Sequence, residues 1–393
     1  MHLFLSAGEP SGDLHGSNLI RAVRARNPDA HFTALGGDRM RAAGADLLYP
    51  LASHAVMGLK GIARQLPTFF RIADAAEWHV RTQRPDAVVL IDYPGFHSVF
   101  AKRLRAYGVP VYYFVPPQIW AWRQGRVRDV RKNFTGVLSA LPFEHDWFRS
   151  RGVNSHYVGH PYFDELAQQQ LDPSFMSEQR SRARRVVAIL PGSRSGEVAA
   201  NAEMMLAAAR KVHAARPDTR FLVAAFNARH AAAVRTLVPP GLPVEVHVGR
   251  TPEIIELSEA CIAVSGSVGL EMMYRAKPAV IVYRVGRVAA WFLSQIIKAK
   301  YMSLVNLLLN DDLYPEFAGG SDYSGDIAAH VVGWLNEPGR RDAVVNRLVA
   351  LRDRVAVPGA CDRAAAFLLG AVKQPTPLTP LPSGRGEEVR IAS

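Results

Sequence analysis

Cysteine is nearly absent: Cys261 and Cys361 are the only two in 393 residues, and they lie too far apart for a metal-ligand motif. So few thiols exclude a disulfide framework and read as reduced side chains of a cytosolic protein. Long apolar runs are missing as well. The longest uncharged stretch, 106–122, carries three prolines and several aromatics. That does not suit a spanning helix, which needs about 18 or more apolar residues. The N-terminus has no basic segment and meets Glu9 and Asp13 early, so no signal peptide is expected. Acid is scarce relative to base, with 47 Lys plus Arg against 35 Asp plus Glu and a net charge of +12. This excess favours anionic partners. No nucleic-acid-binding motif accompanies it, so phosphorylated ligands and an anionic lipid surface are expected, and nucleic acid is not. Asp-x-Asp never occurs, which disfavours a divalent ion gripping a diphosphate. G-x-G-x-x-G, a Walker loop, a zinc-ligand cluster, a serine-hydrolase elbow and kinase signatures are also missing. No metal or other cofactor is expected.

Apolar residues make up 49% of the chain, enough for two packed cores at this length. Short β-branched runs alternate with longer helical stretches. The first half holds strand candidates at 3–6, 31–35, 87–91, 111–115, 137–140 and 156–158, and the second half at 186–190, 221–225, 244–248, 262–264 and 279–283. In the helical stretch 197–215, Val198, Met205, Ala209 and Val212 can share a face. The alternation predicts βαβ units and parallel sheets, hence an α/β chain of two Rossmann-like domains facing a cleft. The expected bounds are 1–165 and 183–372, the final helices being able to pack back on the first domain. The polar stretch 164–185 reads as a helix plus linker, and the Pro- and Gly-rich 374–393 as a disordered tail.

Four junctions carry the chemistry. The first strand ends in Gly8-Glu9-Pro10-Ser11-Gly12-Asp13, a glycine turn opening a helix at the carboxyl edge of the sheet, where open α/β sheets bind ligands. Glu9 would then face the ligand; as structure alone, Ser11 would be a helix cap. The run 88–91 ends in Asp92-Tyr93-Pro94-Gly95, putting Asp92 where a base could take a proton from an acceptor hydroxyl; an N-cap aspartate is the plain alternative. The turn Gly192-Ser193-Arg194, with Glu197 beyond it, offers backbone N–H groups, a helix N-terminus and a guanidinium suited to a diphosphate. A matching turn, 265–269, has Ser267 and then Glu271, which could accept hydrogen bonds from ribose hydroxyls or merely complement the helix dipole. Trp120 and Trp122 with Arg123 and Arg126 form a cationic, amphipathic stretch that could hold a phosphate or rest on anionic lipid, or bury its tryptophans and solvate its arginines.

The strings SAGEPSGD (6–13), AVMG (55–58), IDYPGF (91–96), PQIWAWR (117–123), LPFE (141–144), GHP (159–161), LPGSR..EV (190–198), YR (283–284), SL.NLL (303–308) and PEF (315–317) occur in that order. In them the chain closely resembles the lipid-A-disaccharide synthase family, over roughly residues 1–320. The resemblance implies a GT-B-like, inverting glycosyltransferase joining UDP-2,3-diacylglucosamine to 2,3-diacylglucosamine 1-phosphate. It implies a β-1,6-linked disaccharide and UDP as products, no metal, and peripheral attachment to the inner face of the inner membrane of a Gram-negative cell. It also admits a homodimer. Carried over, Asp92 is the essential acid near the acceptor hydroxyl, with Glu9 close by. Gly192, Ser193, Arg194, Glu197, Ser267, Glu271, Tyr283 and Asn306 fall on the donor side, and Met57, Trp120, Arg123 and Arg126 on the acceptor or membrane side. The chain departs from the family at Gly61, His97, Val305 and Gly319, where Glu, Asn, Pro and Gln are expected. Another GT-B transferase, a UDP-sugar 2-epimerase, or a non-catalytic nucleotide- or lipid-binding protein are the alternatives. The last is disfavoured by Asp92 beside Glu9, since a binding module needs no base.

Overall fold

The computed structural model describes residues 1–54, 62–182, 184–284 and 299–373. The chain divides into two compact units, one of Met1–Ile119, Gln124–Pro161 and the segment from Gly359 onward, the other of Trp120–Arg123 and Tyr162–Pro358. Both are Rossmann-like α/β units built on wholly parallel sheets.

The first sheet has seven strands: β1 (His2–Ala7), β2 (His31–Leu35), β3 (Asp46–Tyr49), β4 (Ala87–Ile91), β5 (Val111–Phe114), β6 (Gly136–Ser139) and β7 (Ser155–Tyr157), in the order β3-β2-β1-β4-β5-β6-β7. Its inner strands β1, β4, β5 and β6 are buried nearly throughout, as a sheet covered by helices on both faces requires. Alternate residues serve opposite cores. Leu3, Leu5, Ala7, Val89 and Ile91 join one cluster with Leu19 and Val23 of helix Pro10–Arg26 and with Ala364, Ala365 and Leu368 of helix Ala360–Lys373. Phe4, Val88 and Leu90 join the other, with Ala76 and Val80 of helix Ile62–Gln83 and Phe100 of helix Pro94–Leu104.

The second sheet has six strands: β8 (Arg185–Leu190), β9 (Thr219–Ala225), β10 (Val244–Val248), β11 (Ala260–Val264), β12 (Ala279–Arg284) and β13 (Glu316–Gly319), in the order β10-β9-β8-β11-β12-β13. Val198, Met205, Ala209 and Val212 of helix Ser195–Ala215 all enter its core, the face expected from their spacing. Ile327, Val331 and Trp334 of helix Ser324–Asn336 join them.

The pattern did not show β3 or β13, short edge strands with little β-branched content. The stretch expected as helix plus linker holds helices Pro161–Gln168 and Pro173–Ser181. The second is capped by Asp172, which accepts from the N–H groups of Ser174 and Phe175, and it buries Phe175 and Met176. Among the described residues one helical stretch, Pro338–Val372, is long and apolar enough by composition to cross a membrane. It breaks at Gly359 (φ +92°) into helices Pro338–Val355 and Ala360–Lys373, and Ala364 and Leu368 of the second are spent in the core of the first unit.

Candidate active site

In the first unit the strand order turns at β1 and β4, with β2 and β3 beyond one and β5 to β7 beyond the other. The loops leaving the two strands therefore diverge, and such a switch point is where parallel sheets take ligands. Ala7 pairs with Ile91 at the carboxyl ends, so Glu9 and Asp92 leave the same sheet edge from neighbouring strands. Glu9 is the N-cap of helix Pro10–Arg26, in extended conformation and without a side-chain capping bond; Ser11 lies inside the helix instead of capping it. A Cβ on Gly8 would overlap the Tyr93 ring, which is why glycine precedes Glu9. Burial, and then the nearby Glu9 charge, raise the Tyr93 phenol above its ordinary range. Asp13 is a structural residue. Its buried carboxylate accepts from the N–H groups of Gly37 (2.7 Å), Arg39 (3.1 Å) and Met40 (3.2 Å), closing the start of helix Asp38–Ala42.

Asp92 and Tyr93 both adopt left-handed backbone, at φ +49° and +51°, a conformation costing on the order of 1–3 kcal/mol for each non-glycine residue. Surrounding bonds hold it. The Asp92 N–H donates to the Phe114 carbonyl at 3.2 Å, and its carbonyl accepts from the Tyr113 hydroxyl at 3.1 Å and from His97 Nδ1 at 2.6 Å. His97 is fully buried, and burial lowers its pKa to about 4, so the ring is neutral at pH 7. A carbonyl only accepts, so the ring proton sits on Nδ1, and Nε2 accepts from Ser6 Oγ at 2.8 Å. Burial first, and then the Asp92 charge, push the Tyr113 phenol well up, while Arg126 pulls it down. Arg126 thus stands within electrostatic reach of the same tyrosine as Asp92. Trp120 is buried, whereas Trp122 is exposed with the Arg123 guanidinium 4.7 Å over its ring. Met57 lies outside the described residues.

The second unit repeats the arrangement. Its order turns at β8 and β11, paired through Leu190 and Ala263, and the turns carrying Ser193, Arg194 and Ser267 leave their carboxyl ends as exposed loops. Arg194 is the N-cap of helix Ser195–Ala215, and Glu197 closes a capping box with it. Glu197 Oε2 accepts from the N–H groups of Ser193 and Arg194 at 3.2 Å each, and Oε1 pairs with the Arg194 guanidinium at 2.9 Å. Gly192, at φ +114°, has no room for a Cβ against Glu197. The sequence expected backbone N–H groups here to meet a diphosphate, but Glu197 already occupies two of them. The anion-binding capacity of this turn therefore rests on Arg194, whose side chain is 76% exposed, and on the helix N-terminus.

Two expected donor-site residues are structurally engaged. Glu271 is 3% exposed; Tyr162 donates to its Oε2 at 2.8 Å and Arg275 pairs with Oε1 at 3.4 Å. A ribose hydroxyl would have to displace these partners. Asn306, fully buried, accepts from the N–H groups of Leu313 (3.0 Å) and Tyr314 (2.9 Å) and donates to the Tyr314 carbonyl (2.8 Å) and Glu316 Oε1 (2.9 Å). That saturates its amide and makes it the hub of 303–316. Tyr283 is half-buried near the end of β12. Gly319 sits at φ +131°, backbone that the expected glutamine would adopt only under strain. Tyr162, Tyr113 and Ser6 carry contacts that the sequence did not single out; Tyr162 directly follows the GHP string, which was its one available signal. Among the described residues no group of three His, Cys, Asp or Glu side chains could hold a metal ion.

Residues 3–349 match the family model for lipid-A-disaccharide synthetase. Curated relatives include the lipid-A-disaccharide synthase of Myxococcus xanthus, 35% identical over 93% of this chain and 96% of that protein. That of Alkalilimnicola ehrlichii is 35% identical over 94% and 98%. Among solved structures, a UDP-GlcNAc 2-epimerase from Neisseria meningitidis bound to UDP-GlcNAc has a TM-score of 0.68 at 11% identity, covering 94% of this chain and 100% of that one. The glycosyltransferase of kitacinnamycin has a TM-score of 0.61 at 18% identity, covering 94% and 98%. At such identities these structures share the fold alone.

Proposed function

The chain belongs to the lipid-A-disaccharide synthase family, and from that premise we propose how its residues make the lipid A disaccharide. It is a glycosyltransferase that condenses UDP-2,3-diacylglucosamine with 2,3-diacylglucosamine 1-phosphate, releasing UDP. Asp92 takes the proton of the acceptor hydroxyl as its oxygen attacks C1 of the donor sugar. The new C–O bond forms on the face opposite the leaving group, the bond to UDP breaks, and the anomeric centre inverts. Glu9, on the adjoining strand end, shapes the charge around that hydroxyl. Arg194 and the helix N-terminus behind it meet the charge developing on the departing diphosphate. Ser193, Ser267 and Tyr283 line the donor side, with Gly192 and Glu197 holding the turn. The observation that carries the reading is Asp92 in constrained left-handed backbone at the switch point of its sheet, in a chain matched by the family nearly throughout.

The reading extends to a cytoplasmic enzyme held peripherally at the inner face of the inner membrane, and to a homodimer. Two acylated substrates and a net charge of +12 support attachment to an anionic lipid surface. Trp120, Arg123 and Arg126 lie in the stretch proposed to meet lipid or the acceptor phosphate. The epimerase reading draws only on shared fold.

Incubating the enzyme with both acylated sugars tests the function: UDP and disaccharide should appear in equal amounts. Conversion of UDP-N-acetylglucosamine alone to its 2-epimer, with no disaccharide from the acylated pair, would overturn it. Sedimentation velocity tests the dimer, and a monomer at assay concentration refutes that part.

A further inference from the structure

We propose that His97 is a positioning residue for the transfer reaction, aiming the Asp92 carboxylate by clamping the Asp92 backbone; this rests on the reading of Asp92 as the base. The ring is fully buried, enclosed by Ser6 and by the rings of Tyr93, Phe96 and Tyr113, so it meets no substrate itself. Its two nitrogens join two strand ends. Nδ1 donates to the Asp92 carbonyl and Nε2 accepts from Ser6 on β1, one residue before Ala7 pairs with Ile91. The direction of the Asp92 side chain follows from its left-handed φ of +49°, and a residue free to leave that region would swing its carboxylate away from the acceptor. The short bond from Nδ1 and the longer one from Tyr113 both end on the carbonyl whose orientation that φ and ψ set. Misplacing a reacting group by about 1 Å can cost on the order of 10²-fold in rate.

The two bonds separate by substitution. An asparagine amide falls where Nδ1 is and keeps the bond to Asp92; a glutamine amide falls where Nε2 is and keeps only the bond to Ser6; leucine keeps neither. The test compares His97→Asn, His97→Gln, His97→Leu, Ser6→Ala and Asp92→Asn in purified enzyme. It reads kcat, KM for the UDP-sugar, the pH profile of kcat/KM and the melting temperature. His97→Asn and Ser6→Ala should retain most of the parent kcat. His97→Gln and His97→Leu should lose about 10- to 100-fold in kcat at unchanged donor KM, with the acid limb of the profile displaced. Parental kcat and pH profile in His97→Gln overturn the proposal, as does a rate loss that follows melting temperature across all His97 variants, asparagine included. If His97→Leu does not fold, His97→Gln decides. Near-parental activity in Asp92→Asn refutes the base itself, whereas an inactive Asp92→Asn beside a fully active His97→Gln refutes only the clamp.

Discussion

Tyr162 donates its phenolic hydrogen to Glu271 Oε2 at 2.8 Å, joining the residue that follows the GHP turn to a carboxylate buried in the first turn of helix Val268–Tyr274. Burial raises the pKa of Glu271, while Tyr162 and Arg275 oppose that rise. Tyr162→Phe removes one of two donors from a buried carboxylate, which costs about 1–3 kcal/mol. Urea denaturation of the variant should show that loss with an unchanged m-value. Unaltered stability would mean that the carboxylate finds another donor.

Arg194→Ala should weaken UDP binding by about 1.5–3 kcal/mol, the range for hydrogen bonds to charged groups. The guanidinium is largely exposed and pairs with Glu197 at 2.9 Å, so its loss should cost far more in UDP affinity than in melting temperature. Titration calorimetry with UDP checks this, and parental affinity would place the diphosphate elsewhere.

Asp92→Asn should preserve the fold and UDP affinity while lowering turnover by roughly 10²–10⁴-fold, the span that general base catalysis supplies. The measurement is kcat in folded protein together with UDP affinity. Normal turnover removes Asp92 from the base role.

Much of this was legible in the sequence. The expected runs 31–35, 87–91 and 244–248 are β2, β4 and β10 residue for residue: β4 is apolar and buried throughout and β2 is buried after His31, while the edge strand β10, only half-buried, shows itself by its alternating valines. Asp92 was legible as a strand-end carboxylate directly after β4. What could not be read is pairing across distance. No local pattern indicates that Tyr162 reaches Glu271, 109 residues away, or that Asn306 spends its amide on 312–316. His97 showed only as a departure from the family pattern, and its meaning depends on Ser6, which is remote in sequence and 2.8 Å away in space.

Stability should fall in mild acid. Burial lowers the His97 pKa to about 4 and that of His160 to about 3, from 6.5 in the unfolded chain. Between these values the unfolded state binds more protons, so stability rises with pH. The contribution is complete above about pH 6.5 and is lost as pH falls toward the folded-state values. For His97 the difference amounts to about 3 kcal/mol at most. Chemical denaturation between pH 4 and 7 should show the decline, shallower in His97→Asn than in the parent. Identical slopes would mean that the histidine is charged in the fold or neutral in both states.

Membrane attachment should depend on the cationic stretch around Trp122. Trp122 is 42% exposed, Arg123 stacks on its ring at 4.7 Å, and Arg128 is exposed on the following helix Val127–Asn133. An aromatic at the interface with arginines beside it suits the headgroup region of an anionic bilayer. Each basic residue near such a surface contributes about 1 kcal/mol, screened over a Debye length of about 10 Å at 0.1 M salt. Replacing Arg123, Arg126 and Arg128 together by Gln should therefore release the enzyme from anionic vesicles, most clearly at low salt. Deleting residues 374–393, which are rich in Pro and Gly and carry little apolar surface, should leave vesicle binding and turnover unchanged. Co-sedimentation of the parent, the triple variant and the truncated chain across a salt series decides between the two regions. Binding that survives the triple substitution but vanishes on truncation would move the membrane contact to the C-terminal segment.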